Sequence, residues 1–151
     1  MKVLISVDGS KIAAKAFEWY FEHIHKEGNE VIICHISEQP AIPTYIFVDE
    51  NVLVAYTDDI EKLREEATKK RDSLKKVYET KMEGKNVTAT FLFNFTDTPV
   101  GEAIVQIANK EQCDAIIMGS RGMGIFRRTI LGSVSDYVMH HAKATVMVCH
   151  S

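Results

Sequence analysis

A chain of 151 residues, 46% apolar and 26% charged, has an ordinary globular composition and is long enough to bury a core without disulfides. A formal net charge of −3 lacks the basic surplus of a nucleic-acid binder, and no apolar run approaches the roughly 20 residues of a membrane helix. The three cysteines, Cys34, Cys113 and Cys149, form no Cys-x-x-Cys pair; each lies in or beside an apolar run and reads as a small buried hydrophobe in a reducing compartment.

The first element, Val3 to Val7, is a short apolar run ending in Asp8-Gly9-Ser10, a strand and a turn. It is too short for a signal peptide and meets an acid at once, so the expected location is the cytosol. Ser10 reads as an N-cap, and Ala13, Ala16, Phe17, Tyr20 and Ile24 follow at helical spacing, with Gly28 as the stop. Trp19, Tyr20 and Phe21 on that helix are expected to pack in the core or an interface. Val31 to Ile36 is the second strand. Both strands are nearly continuous in apolar character, which suits cover on both faces.

From Ser37 to about Thr57 the pattern lapses, and Pro40 and Pro43 break any helix there. So long a connection reads as a lid or binding loop. Asp58 or Asp59 is expected to cap the next helix, with Ile60, Leu63, Ala67, Leu74 and Tyr78 on its apolar face and Gly84 at its end. Nine of the 18 Lys and Arg residues lie between Lys62 and Lys85, but Glu61, Glu65, Glu66, Asp72, Glu79 and Glu83 interleave with them. That favours a solvated face over a basic recognition surface. Val87 to Phe95 is the third strand, and Thr98-Pro99 opens a helix with proline at its first position. Val100, Ala103, Ile104, Ile107 and Ala108 form its apolar stripe. Ala115 to Met118 is the fourth strand, Ser133 to Ala142 a last helix and Thr145 to Cys149 a last strand. Alternation of this kind implies one α/β domain over residues 1–151, with a parallel sheet and helices on both faces.

Four of the eight glycines lie between Gly119 and Ser133, where a buried strand gives way to a helix. Glycine lets a ligand approach main-chain amides closely, and a helix start offers unsatisfied N–H groups and partial positive charge. The stretch is neither a Walker loop nor a completed Rossmann fingerprint, since Arg127 stands where the third glycine is required. Gly119-x2-Gly122-x9-Gly132-Ser133 instead resembles the G-x2-G-x9-G-[ST] pattern of ATP-binding universal stress proteins. Val3 to Ser10, Ile33-Cys34-His35-Ile36 and Ala115 to Gly119 are similar to that family's first, second and fourth strands. One departure is Ala144-Thr145-Val146, where the family often has proline.

The resemblance implies a doubly wound Rossmann-like sheet of five parallel strands in order 3-2-1-4-5, with the ligand crevice between strands one and four. It implies nucleoside contacts from Ser6, Val7 and Asp8, with Asp8 on the ribose or helping to hold Mg²⁺; otherwise Asp8 is a helix-capping acid. Ile36 would read adenine through its backbone. Met118, Gly119, Arg121 and Gly122 would surround ribose and phosphates, and Gly132, Ser133, Val134 and Ser135 would bind phosphate, with Ser133 also a plain N-cap. Arg127 and Arg128 would be further phosphate partners or ordinary exposed arginines. The implied ligand is ATP, or AMP or ADP, and the implied assembly a homodimer through strand 145–149. The function expected is regulatory nucleotide binding in a stress response. The alternatives are a slow ATP hydrolase at the same site and a nucleotide-free interaction scaffold. The pairs Cys34-His35, His140-His141 and Cys149-His150 lack zinc-site spacing, and alternation sends Cys34 and His35 to opposite faces.

Overall fold

The computed structural model describes residues 1–40, 50–120 and 131–150, of which 50–59 by main chain alone. Elements alternate along the chain: β1 (Lys2–Ser6), α1 (Lys11–His23), β2 (Glu30–Glu38), α2 (Glu50–Met82), β3 (Ala89–Thr96), α3 (Val100–Lys110), β4 (Ala115–Gly119), α4 (Ser133–His141) and β5 (Thr145–Cys149). The strands make one sheet in the order β3-β2-β1-β4-β5, every pairing parallel. This is the doubly wound α/β fold that the resemblance implied.

The two faces divide the apolar residues by strand alternation. Val3, Ile5, Val7, Ile33, Phe93 and Ile117 pack with Phe17 and Tyr20 of α1 and Tyr78 and Met82 of α2. Leu4, Ile32, Cys34, Ile36, Ile116 and Met118 pack with Ile104 and Ala108 of α3 and Val138 of α4. Cys34 is buried there, and burial pushes its thiol up to about 12, so it stays protonated and unreactive. Cys113 and Cys149 are half-buried and free.

Local signals explain the start of α1 and the end of α2. The Ser10 side chain accepts the Ala13 N–H at 3.1 Å and caps α1. Gly84 takes φ +76 just after α2, a left-handed conformation that glycine adopts without strain. Gly28, at φ +86, lies in the turn before β2, because α1 has already ended at His23.

Three sequence expectations are corrected. The helix expected from Asp58 or Asp59 begins at Glu50, so the irregular connection stops short of Thr57; residues 41–49 of that connection lie outside the described residues. No proline or glycine occurs between Pro43 and Gly84, so nothing halts propagation once a helix has nucleated. Pro99 is the N-cap of α3 rather than its first residue, because its ψ of 136° is still extended. Gly132, with ψ 149°, is the N-cap of α4, and Ser133 is the first helical residue.

An ion pair at 2.9 Å ties Lys2 at the start of β1 to Glu111 after α3. The hydrogen bond and charge of Lys2 hold the Glu111 carboxyl below its usual range. A carboxyl depressed in the folded state binds fewer protons there than in the unfolded chain. Its contribution is therefore present at neutral pH and lost as pH falls through the folded value. Thermal melts of wild type and Glu111→Gln should converge on acidification. Parallel curves at every pH would show that the pair contributes nothing.

Candidate functional site

β1 is central, and the chain leaves it toward α1 on one face and leaves β4 toward α4 on the other. The carboxyl ends of β1 and β4 therefore border a crevice at the point where strand order reverses. Ile5 pairs with Ile117, so Val7 and Gly119 stand level, two residues further on.

At the β1 side, Asp8 Oδ1 accepts the Ser10 N–H at 2.9 Å. That bond closes the β1–α1 turn, with Gly9 at φ +82, and among the described residues engages Oδ1 rather than Oδ2. Asp8 therefore holds the turn ahead of the cap residue Ser10 rather than capping α1 itself, and its second oxygen keeps the other role open. Behind it lies Tyr78 of α2, whose phenol is pushed up to about 12, first by burial and then by the charges of Asp8 and Glu18. Ser6 pairs with Cys34, and Val7 is buried.

At the β4 side, Met118 is buried against the second helical layer. Gly119 meets α1 so closely that a Cβ there would lie 2.9 Å from Ile12 Cγ2 and 3.0 Å from the Ala13 nitrogen. The next residue, Ser120, is buried and gives its N–H to Cys149 O at 2.8 Å. Its carbonyl receives the Gly132 N–H at 2.8 Å and the Ser135 hydroxyl at 3.1 Å. The Ser135 hydroxyl also lies 2.9 Å from Gly132 O. So the two ends of the glycine-rich segment are fastened to each other at the crevice.

This fastening places the start of α4 beside β4. Gly132 supplies no side-chain cap, so the first-turn amides of Ser133, Val134 and Ser135 are not closed off by their own N-cap residue. Ser133 is exposed, whereas Ser135 is buried with its hydroxyl turned inward. Ser135 therefore offers the site its amide, and its side chain holds the loop ends. Ile36 is buried at the carboxyl end of β2, across β1 from β4.

Ser6, Val7, Asp8, Met118, Gly119, Gly132, Ser133, Val134 and Ser135 thus lie at or just beyond the carboxyl ends of β1 and β4 and at the start of α4, with Ile36 near the end of β2 on the other side of β1. Arg121 and Gly122, and the further candidates Arg127 and Arg128, lie outside the described residues. Two contributors escape sequence reading. Ser120 acts through its main chain, which any residue type provides. His35, whose Nδ1 stands 2.8 Å from Val7 O, acts through a cross-strand contact that needs the register to be known.

Residues 1–150 match the sequence model of the universal stress protein family. The curated universal stress protein Sll1388 of Synechocystis is 25% identical over 153 residues, 97% of this chain and 96% of its own length. The solved structure of hypothetical protein MJ0577 superposes with a TM-score of 0.76 at 23% identity, over 99% of this chain and 95% of that one. A universal stress protein family protein of Arabidopsis thaliana, solved with AMP bound, superposes with a TM-score of 0.61 at 18% identity, over 99% and 91%. At these identities the structural likenesses speak for the fold. Among the described residues, no helix is long and apolar enough to cross a membrane.

Proposed function

The chain belongs to the universal stress protein family, and on that premise we propose that it binds an adenine nucleotide, up to Mg-ATP, in the crevice between β1 and β4. The observation that carries the reading is the fastening of Ser120 to Gly132 and Ser135, which sets an uncapped helix start against the switch point. Amides at a helix N-terminus suit phosphate. The Asp8 carboxylate, one oxygen held by Ser10, suits a ribose hydroxyl or Mg²⁺. Buried Ile36 suits the base. AMP in the Arabidopsis structure supports the ligand class. Arg121 and Gly122 complete the proposed set on sequence grounds.

The binding is proposed to be regulatory, so that ligand occupancy changes a surface read by a partner. Hydrolysis is the weaker reading, because phosphoryl transfer needs a base or water-positioning group and Asp8 is the one candidate among the described residues. Calorimetric titration with AMP, ADP and ATP, with and without Mg²⁺, tests the proposal directly. Absence of binding at millimolar ligand would sink it, and repeated turnover per site would shift the reading to an enzyme.

Asp8→Asn separates charge from turn geometry, since asparagine still accepts the Ser10 N–H. Charged hydrogen bonds are about twice as strong as neutral ones, so nucleotide affinity should fall by about 1 kcal/mol, several-fold in Kd. Stability should move far less. Equal affinity in the variant would remove Asp8 from the site.

A homodimer through β5 is part of the same proposal. β5 is an edge strand, and Val146, Met147, Val148 and Cys149 are each half-buried in the single chain. An open apolar edge invites a second strand. Sedimentation should give twice the chain mass, and Val148→Lys should halve it; a wild-type monomer at micromolar concentration overturns the assembly.

A further inference from the structure

β1 and β2 run in parallel register from Lys2 with Glu30 to Ser6 with Cys34. One more rung follows, the Val7 N–H to Cys34 O at 2.8 Å. In a parallel ladder the same residue then receives, at its carbonyl, the N–H two positions further along the partner. The donor due to Val7 O is therefore Ile36 N–H. Among the described residues no main-chain bond joins them. The His35 imidazole takes the place instead, with Nδ1 2.8 Å from Val7 O. A carbonyl only accepts, so Nδ1 carries the proton and donates. The ring is held from the other side by Phe93, 5.6 Å away between centroids.

The direction of the Ile36 main chain follows from alternation. Val31 and Gln39 give their N–H groups to Thr88 and Thr96, so the odd-numbered residues of β2 face β3. Glu30 N–H and Cys34 O engage Met1 and Val7, so the even-numbered residues face β1. Ile36 accordingly points both its N–H and its C=O into the space beyond the end of β1. The residue is 7% exposed, and a donor and an acceptor side by side in so apolar a setting call for partners.

We infer that His35 is a positioning residue for base selection: by occupying the Val7 carbonyl, it keeps the Ile36 N–H and C=O open as the edge that reads adenine. This rests on the nucleotide reading above and adds what selects the base. Adenine offers a ring-nitrogen acceptor beside an amino donor, which complements an N–H beside a C=O. Guanine presents donor and acceptor in the opposite order. Without the imidazole, Val7 O would recapture Ile36 N–H, the ladder would close by one rung, and the donor would be lost to the base.

The test compares AMP, GMP and ribose 5-phosphate on the full chain. His35→Phe keeps a ring against Phe93 but has no donor. It should lose about tenfold of the AMP-over-GMP preference, the worth of one buried hydrogen bond, with ribose 5-phosphate affinity unchanged. His35→Asn, whose amide nitrogen stands where Nδ1 stood, should restore the preference. A phenylalanine variant that discriminates like wild type, or that loses ribose 5-phosphate affinity in the same proportion, overturns the inference. Amide exchange in the wild type gives a reading independent of any variant's folding. Ile36 N–H should exchange faster than Cys34 N–H in the free protein and slow on AMP binding, and equal protection in the free protein overturns the contact's role. A wild type that binds neither AMP nor ribose 5-phosphate overturns the nucleotide reading, while exchange at Ile36 still judges the His35 contact.

Discussion

Phe17→Ala is expected to lose about 3–5 kcal/mol of folding stability, the largest single-residue effect we predict. Phe17 is fully buried on α1, where its ring meets Phe21 at 4.9 Å and Tyr78 edge-on at 5.1 Å. Lys81 of α2 lies over the same ring at 5.8 Å and is hydrogen-bonded to Glu18 of α1. One side chain thus joins the sheet, α1 and the last turns of α2. Removing it takes away burial and leaves a cavity that two helices and a sheet close poorly. Equilibrium urea unfolding measures the loss. Trp19→Ala on the same helix is the control: Trp19 is 38% exposed, so it should lose much less. A Phe17→Ala loss below about 1 kcal/mol would mean that α2 does not hold the packing described.

That contrast also shows what a sequence makes legible. The stripe Ala13, Ala16, Phe17 and Tyr20 is visible because core burial imposes a period of 3.6 on residue type, and the same four residues are buried. The strands are visible because a sheet covered on both faces demands unbroken apolar runs. The start of α2 was not visible. Amphipathic spacing lapses before Thr57, and helix formation there follows instead from the absence of breakers between Pro43 and Gly84. The caps at Pro99 and Gly132 each lie one residue from where residue type alone places them, because they depend on ψ, which residue type leaves open at both.

The site divides in the same way. The glycine spacing marks the corner of the fold where β4 ends and α4 begins, and at Gly119 it reflects backbone crowding against α1. Asp8 was legible because a carboxylate at a strand end is chemically distinctive. The inward turn of the Ser135 hydroxyl and the cross-strand reach of His35 were not, since both depend on which main-chain carbonyl lies within about 3 Å. Sequence shows the side chains a site requires. It hides the main-chain groups, and the proposed site draws largely on main-chain groups.

Gly119→Val should cost about 2–3 kcal/mol of stability and at least about tenfold in nucleotide affinity. A Cβ at this position would stand 2.9 Å from Ile12 Cγ2, 3.0 Å from the Ala13 nitrogen and 3.1 Å from the Ile12 carbonyl carbon. The Ile12 side chain can turn aside, but the other two atoms are helix backbone. The Ala13 N–H is the group that Ser10 caps, so the start of α1 must move away from β4 or lose its cap. Either response disturbs the Ser10 N–H that holds Asp8. On the other side, Gly119 immediately precedes Ser120, whose carbonyl fastens both Gly132 and Ser135. One added side chain therefore strains both walls of the proposed crevice. Gly28→Ala is the matched control: Gly28 has φ +86 but nothing within 4 Å of its added Cβ, so it should lose about 1 kcal/mol and leave binding intact. If Gly119→Val folds, with its loss confirmed by urea unfolding, and yet binds AMP as tightly as wild type, then the ligand does not lie between β1 and β4. Binding lost in Gly119→Val and kept in Gly28→Ala is the result that the crevice requires.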